Sequence, residues 1–497
     1  MSAATASKGT SEGPRGGLER ILAPLDARPW TWLVLGLVAT AAGHMRWGID
    51  PLAWAAPLAW LRYLSLSTTR VQRLGFGLVF ALAWIVTLAG IATAPVPIGL
   101  AFGFGGAIAA LLVWPYLVWS WQVRRLGQRS GWTTLLFPAA MVVAETLAHR
   151  ATPFGVWGHA ANTALGDLPL MQLAALTGAS GIGFVLHWLA AALEARSSHE
   201  GHQGRHRRGL WLALASLVAA HVYGELRLDL EANRATETVR VAAVGTDSDL
   251  SGPPVPPIEV RRAWDEALFE RTRVAAEAGA ELVVWTEAAA VVERDEEQAW
   301  LERVGELAST LEVAIVAGYI VPLGSDADFH YDNAYALFGP ESGLEHRYLK
   351  HRPVPGEPAT RGTGPAPRWS SETLGELSGA ICYDYDFPSS AVERAGVDLV
   401  ALPSSDWRGI DPIHTHMARL RAIEGGHALL RSTRFGLSAG IDALGVVHAQ
   451  SSAFDDGQQV MVVNLPRHGR RTLYASLGEW FALLSALFVG WALVRPR

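Results

Sequence analysis

Hydrophobic residues come in long stretches over the first half of the chain and in short alternating ones over the second. Runs at 30–45, 51–67, 75–96, 100–122, 132–149, 168–195 and 209–224 approach the roughly 20 apolar residues that a helix needs to cross a bilayer. They predict seven membrane helices within 29–225, preceded by a polar, Gly/Ser-rich tail over 1–28 that reads as disordered. Between 238 and 465 brief β-type runs, such as 239–244, 281–286, 313–317, 377–382 and 398–402, alternate with helical stretches such as 257–278 and 297–311. That alternation predicts a layered α/β domain over 226–470. A last apolar run at 480–494, closed by Arg495 and Arg497, predicts an eighth span within 471–497. The predicted fold class is therefore a membrane α-helical bundle of about eight transmembrane helices joined to an α/β domain.

Basic residues test the orientation independently. With a cytoplasmic N-terminus, the inner loops carry Arg62, Arg70 and Arg73, then Arg124, Arg125 and Arg129, then Arg196, Arg205, Arg207 and Arg208. The opposite loops hold only Arg46 and Arg150. This asymmetry is the positive-inside pattern, and seven crossings deliver the α/β domain to the outer face. The expected location is a bacterial inner membrane, multi-pass, with that domain on the periplasmic side.

Composition agrees. Only 18% of the 497 residues are charged, the mean hydropathy is +0.19, and there are 20 Trp and 50 Gly, which disfavours a purely soluble protein. A net charge of -6 gives no basic footprint, so nucleic-acid binding is excluded. One cysteine, Cys382, rules out an intramolecular disulfide and a thiolate metal cluster. Lys8 and Lys350 are the only lysines among 41 basic residues, which singles out Lys350 within the folded part.

Three strand ends carry candidate chemistry. Glu281-Leu-Val-Val-Trp-Thr-Glu287 ends in a carboxylate, Tyr348-Leu-Lys350 in the lone folded lysine, and Gly379-Ala-Ile-Cys382-Tyr-Asp384 in the lone cysteine. A thiol with a pKa of about 8.5 needs a base to attack a carbonyl at neutral pH, a role open to Glu287. The oxyanion that follows needs a fixed cation and a backbone N–H, supplied by Lys350 and the N–H of Tyr383. Each residue alone has a plainer reading: a buried apolar thiol, a solvated glutamate. The lysine is harder to dismiss, because an arginine does not replace a compact ammonium. His414 and His416 in Ile413-His-Thr-His-Met417 lack a third nearby ligand and read as helix-start residues, so no metal and no cofactor is expected.

The Glu, Lys, Cys order on strand ends resembles the nitrilase, or carbon–nitrogen hydrolase, superfamily, whose fold is an α-β-β-α sandwich. With seven spans before the domain and one after, the whole is similar to the membrane-embedded branch of that superfamily, the apolipoprotein N-acyltransferases. Local matches are Ala144-Glu145 with Arg150 through Gly155, Met417 through Glu424, Leu430-Arg-Ser-Thr-Arg434 and Gly478-Glu-Trp480. The resemblance implies that a phospholipid donates an acyl chain to Cys382 as a thioester and that the α-amine of a diacylated apolipoprotein accepts it. It further implies Glu287 as base, Lys350 as oxyanion stabiliser, and Glu357, Tyr383 and Asp384 as supporting or substrate-binding residues, in a monomer working among membrane lipid. A membrane-anchored amidase that resolves the thioester with water, or a paralogous acyltransferase with another lipid substrate, remains open at this level. Glu145 is expected to pair with Arg150.

Overall fold

The structure is a computed structural model that describes residues 17–93, 97–126, 132–197, 204–232, 237–249, 252–455, 459–467 and 469–495. The tail segment 1–16, Arg129 and Arg497 lie outside these residues. Within the expected tail, Gly17–Asp26 is a helix instead. Leu22 and Leu25 pack on the neighbouring bundle, and Asp26 pairs with the buried Arg62. A short amphipathic pattern, hidden in a Gly/Ser-rich context, is enough to order it.

The helical region continues with Trp30–Gly43, Asp50–Leu66, Arg70–Ala89, Ile98–Leu112 running into Trp114–Leu126, Thr133–Ala151, Ala179–Ser197 and Gly204–Ala232. One face of Arg70–Ala89 buries Phe76, Phe80, Ala83, Trp84 and Leu88 against Trp60 and Tyr116. Its other face exposes Val71, Leu74, Leu78, Leu82 and Val86, a helical apolar stripe with no protein cover of the kind that lipid covers. Among the described residues, three helices are long and apolar enough to cross a membrane: Arg70–Ala89, Ile98–Leu126 and Arg207–Leu230. The expected run at 168–195 is not one helix: Leu168–Thr177 and Ala179–Ser197 meet at 118° and count as a fourth span only if taken together. Gly178 makes that corner with φ +68, and a Cβ there would meet the Tyr474 ring at 2.5 Å. Trp30–Gly43 and Trp480–Val494 are apolar but shorter. Length and composition alone thus give three or four spans where the hydropathy reading counts eight.

Among the described residues thirteen strands follow: β1 (Thr238–Val244), β2 (Leu282–Trp285), β3 (Ala290–Val291), β4 (Ala314–Leu323), β5 (His330–Gly339), β6 (Gly343–Leu349), β7 (Arg368–Ser371), β8 (Gly375–Gly379), β9 (Leu399–Ser405), β10 (Ala428–Arg434), β11 (Leu437–Ile441), β12 (Val447–Ser452) and β13 (Val460–Pro466). They form a seven-stranded sheet, ordered β13-β1-β2-β4-β5-β6 with β3 on β4, and a six-stranded sheet, ordered β12-β11-β10-β9-β8-β7. Side-chain alternation builds the layers. In β1, Val239, Val241 and Ala243 face the second sheet, packing with Leu377, Ile381, Leu399 and Leu430. Ala242 and Val244 face the other way, onto the helices Ile258–Glu277 and Glu297–Leu311. On the far side, Val400, Leu402 and Leu429 pack against Ala418 and Ala422 of the helix Ile413–Gly425. The order of layers is helix, sheet, sheet, helix.

Glu145 does not pair with Arg150. Its Oε1 accepts the backbone N–H of Ala160 at 2.8 Å, whereas Arg150 and His149 both bind Glu479, just before the last helix. A buried carboxylate satisfied by a backbone donor needs no counter-ion on the exposed helix end.

Candidate active site

The site assembles where strands of both sheets end. Glu287 stands two residues beyond β2, its backbone N–H bonded to the carbonyl of Ser404 in β9 at 3.2 Å, so the two sheets meet there. Lys350 directly follows β6, with its own N–H on Asn333 O at 2.9 Å. Cys382 opens a 3-10 turn, Cys382–Asp386, after β8. Its φ is +45, and Ala288, beside Glu287, has φ +50. Left-handed backbone at two non-glycine positions stores strain, and such strain gathers at functional sites.

Lys350 is buried and donates to Glu287 Oε1 and to Glu357 Oε2, both at 2.8 Å. Asn333 Nδ2 closes the group from the other side, donating to Glu287 Oε1 at 2.7 Å and Glu357 Oε1 at 3.0 Å. Burial opposes the ammonium charge, but the two carboxylates outweigh it and hold Lys350 well above its ordinary range. Burial likewise works against the Glu357 carboxylate, and the Lys350 ammonium reverses the balance and pulls it down. Two of the three ammonium N–H groups are used among the described residues, leaving one to aim elsewhere. Cys382 is also buried, its Sγ donating to Ser405 O at 3.4 Å. Burial and the Glu287 carboxylate push its thiol up, while Lys350 pulls the other way, so the thiol keeps its proton until a base removes it.

Glu287, Lys350 and Glu357 are therefore brought together, and Cys382 lies within reach of their charges. Tyr383 lines a cavity of about 110 Å³ beside Cys382 and donates its hydroxyl to Pro153 O at 2.6 Å. Asp384 does a different job. Its oxygens accept the Tyr348 hydroxyl at 2.9 Å and the N–H groups of Ile381 and Arg352 at 3.2 and 2.6 Å, which ties the cysteine turn to the lysine loop and leaves it off the cavity wall.

The cavity is apolar and two-sided. Leu88, Ile91, Leu100, Ala101, Phe104 and Ile108 come from the membrane-type helices and their connection, and Val354, Pro355, Trp407 and Ile410 from the sandwich loops. Phe154 and Trp157, on the loop after Thr133–Ala151, complete it. No strand-end motif announces this wall, because it is built from segments hundreds of residues apart.

A second cluster went unread in the sequence. His414, a helix-start residue by sequence, is buried against the same cavity. Its Nδ1 lies 2.7 Å from Asp406 Oδ1 and its Nε2 2.8 Å from Asp386 Oδ1. Arg431 grips Asp406 through two N–H groups at 2.8 and 3.0 Å, and its Nη2 is 3.0 Å from His414 Nδ1. Burial alone would lower the imidazole pKa, but Asp386 and Asp406 outweigh it and push it up to about 9. Cys382, Asp406 and His414 offer atoms within 4.8 Å of one another, close enough for a metal site. With both ring nitrogens engaged by carboxylates, however, His414 has no lone pair to give, and the cluster is an ion-pair network.

Comparison with known proteins narrows the reading. Residues 210–474 match the carbon-nitrogen hydrolase family. The chain belongs to that family. Relatives named apolipoprotein N-acyltransferase include one from Caulobacter vibrioides, 28% identical and aligned over 95% of this chain and 96% of its own. Another, from Pseudomonas putida, is 28% identical over 85% and 87% of the two chains, and one from Shewanella oneidensis 26% over 88% and 89%. Among solved structures, an amidase from Nesterenkonia sp. is 20% identical, with a TM-score of 0.38, covering 50% of this chain and 97% of its own. A Saccharomyces cerevisiae member of branch 10 of the nitrilase superfamily is 19% identical, at a TM-score of 0.38, covering 49% and 95%.

Proposed function

We propose that this protein is an apolipoprotein N-acyltransferase of a bacterial inner membrane. One observation carries the reading: the candidate nucleophile Cys382 opens into an apolar cavity whose other wall is made by the membrane-type helices. A water-soluble amide has no use for such a wall, whereas an acyl chain entering from lipid does. Curated relatives of that name, aligned over most of both chains, support the same assignment.

In this reading Glu287 takes the thiol proton and the Cys382 thiolate attacks an ester carbonyl of a phospholipid. The free N–H of Lys350 and the backbone N–H of Tyr383 stabilise the oxyanion. The C–O bond then breaks, the lysophospholipid alkoxide recovers the proton from Glu287, and the acyl group remains as a thioester. In the second half, the neutral α-amine of a diacylated apolipoprotein attacks the thioester, its proton passes through Glu287 to the departing thiolate, and an amide is released. Glu357 holds Lys350 in line, and Asp384 fixes the turn.

Eight crossings fit this chemistry: the helices or helix pairs within 30–43, 50–66, 70–89, 98–126, 133–151, 168–197, 204–232 and 480–494. Arginines concentrated on one side of them favour a periplasmic sandwich. The deciding experiment is intact mass spectrometry of the full chain, given phosphatidylethanolamine and then a diacylated lipopeptide. An acyl mass on Cys382 that moves to the peptide amine is expected. An adduct that decays only to fatty acid, or no adduct, would overturn the assignment.

A further inference from the structure

His414 bridges two backbone segments that hold the same sulfur. Through Nε2 it binds Asp386, the last residue of the turn that begins with Cys382. Through Nδ1 it binds Asp406, next in the chain to Ser405, whose carbonyl accepts the Cys382 thiol. Asp386 is in turn held by the membrane-side loop: Trp157 Nε1 donates to its Oδ2 at 2.7 Å, and the N–H of Val156 to its carbonyl at 3.1 Å. The Trp157 ring packs on the His414 ring at 5.7 Å between centroids. An unbroken line of hydrogen bonds thus runs from the membrane-side wall of the cavity, through Asp386, His414 and Asp406, to Arg431 in β10.

We propose that His414 is a positioning residue, a buried imidazolium that locks the turn carrying Cys382 both to the Ser405 strand end and to the membrane-side loop at Trp157. The role rests on reading Cys382 as the acyl-accepting nucleophile. Both ring N–H groups are committed to carboxylates, so His414 neither donates a proton to the substrate nor ligates a metal. The charged and titratable groups around it are Asp386 and Cys382 from the turn, Asp406 and Asp411 from the segment after β9, Arg431 from β10, and His416 and Arg419 on its own helix. Its two carboxylates balance its own charge and that of Arg431. Replacing it with a neutral side chain leaves an uncompensated negative charge beside the thiol and frees the turn.

The test measures acyl loading of Cys382 in the full-length protein, in micelles containing phosphatidylethanolamine, as a function of lipid concentration. His414→Gln is expected to lower the maximal loading rate on the order of 100-fold, as displaced reacting groups do, while moving half-saturating lipid by no more than about twofold. Trp157→Phe, which keeps an aromatic ring on the cavity wall and deletes the N–H, should lower the same rate about fivefold. Added imidazole should restore loading in His414→Ala. Because Cys382 is the only thiol, its alkylation by iodoacetamide gives a substrate-free readout, expected to slow about tenfold in His414→Gln. Wild-type loading in His414→Gln, a loss confined to half-saturation, or no rescue by imidazole in folded His414→Ala would overturn the role. Should the wild type fail to load from phospholipid, the proposed donor falls, and alkylation alone decides: an unchanged rate in His414→Gln overturns the positioning role, and a tenfold slower one upholds it.

Discussion

The hydroxyl of Tyr383 donates to the carbonyl of Pro153 at 2.6 Å, across 230 positions of sequence, and so joins the residue beside the candidate nucleophile to the loop that leaves a membrane-type helix. Tyr383→Phe keeps the ring on the cavity wall and removes only this bond. Thermal unfolding in detergent should report a loss of about 1 kcal/mol, and acyl loading should fall by a few-fold. A variant with unchanged loading would show that this contact does not position the turn.

Gly155 sits on the same loop with φ +54, and a Cβ there would meet Asp386 O at 3.0 Å. Gly155→Ala combines a left-handed alanine, costing roughly 1–2 kcal/mol, with a push on the cysteine turn. Activity should drop more than in Tyr383→Phe, and the comparison of the two loading rates checks it.

Lys350 holds two carboxylates apart from each other. Lys350→Met leaves Glu287 and Glu357 facing one another without a cation and should cost about 3–5 kcal/mol. Adding Glu357→Gln to that variant should recover part of the loss, readable as a rise in unfolding temperature. Lys350→Arg retains charge but not the compact shape, and its loading rate should fall on the order of 100-fold. Wild-type turnover there would remove Lys350 from oxyanion stabilisation.

His414 also makes stability depend on pH in a definite sense. Its imidazole is raised from 6.5 to about 9 in the folded chain, so the native state binds a proton that the unfolded state has released. The stabilisation is complete below about pH 6.5 and disappears as pH rises through about 9, with a full size of about 3 kcal/mol. Unfolding temperatures of wild type and His414→Gln, measured between pH 6 and pH 10, should therefore converge at the alkaline end. Parallel curves would contradict the raised imidazole.

Ala101 faces the cavity from the helix Ile98–Leu112. Ala101→Phe narrows the space available to an acyl chain, and with phospholipid of mixed chains the adducts on Cys382 should shift to shorter acyl masses. An unaltered distribution would place the chain elsewhere.

Two members of the strand-end trio, Glu287 and Cys382, were legible because each closes a short apolar run, and Lys350 because this chain spends lysine almost nowhere else. Glu357 became visible only through family resemblance, since a Pro-Gly-Glu turn carries no signal of its own. Asn333 and Trp157 had none either. The His414 network was hidden for a geometric reason: its members come from a turn, a strand end, a helix start and a strand, and none of them sits at a spacing that sequence periodicity detects. In the helical part, hydropathy located the apolar segments but not the corner at Gly178, where tight packing against Tyr474 rather than polarity sets the path.

The pairing of β1 with β13 bears on how the molecule is made. Thr238 lies opposite Pro466 and Val244 opposite Val460, so the first strand of the sandwich waits for the last one before its free edge is covered. During synthesis every intermediate shorter than residue 460 carries an open β1 edge, and unpaired edges invite association with other chains. Closure is a long-range event of the slow kind, completed only as the chain turns back toward its final helix. The same pairing brings the two ends of the sandwich side by side, so a single proteolytic nick within it leaves both fragments held by the membrane-type helices on either side.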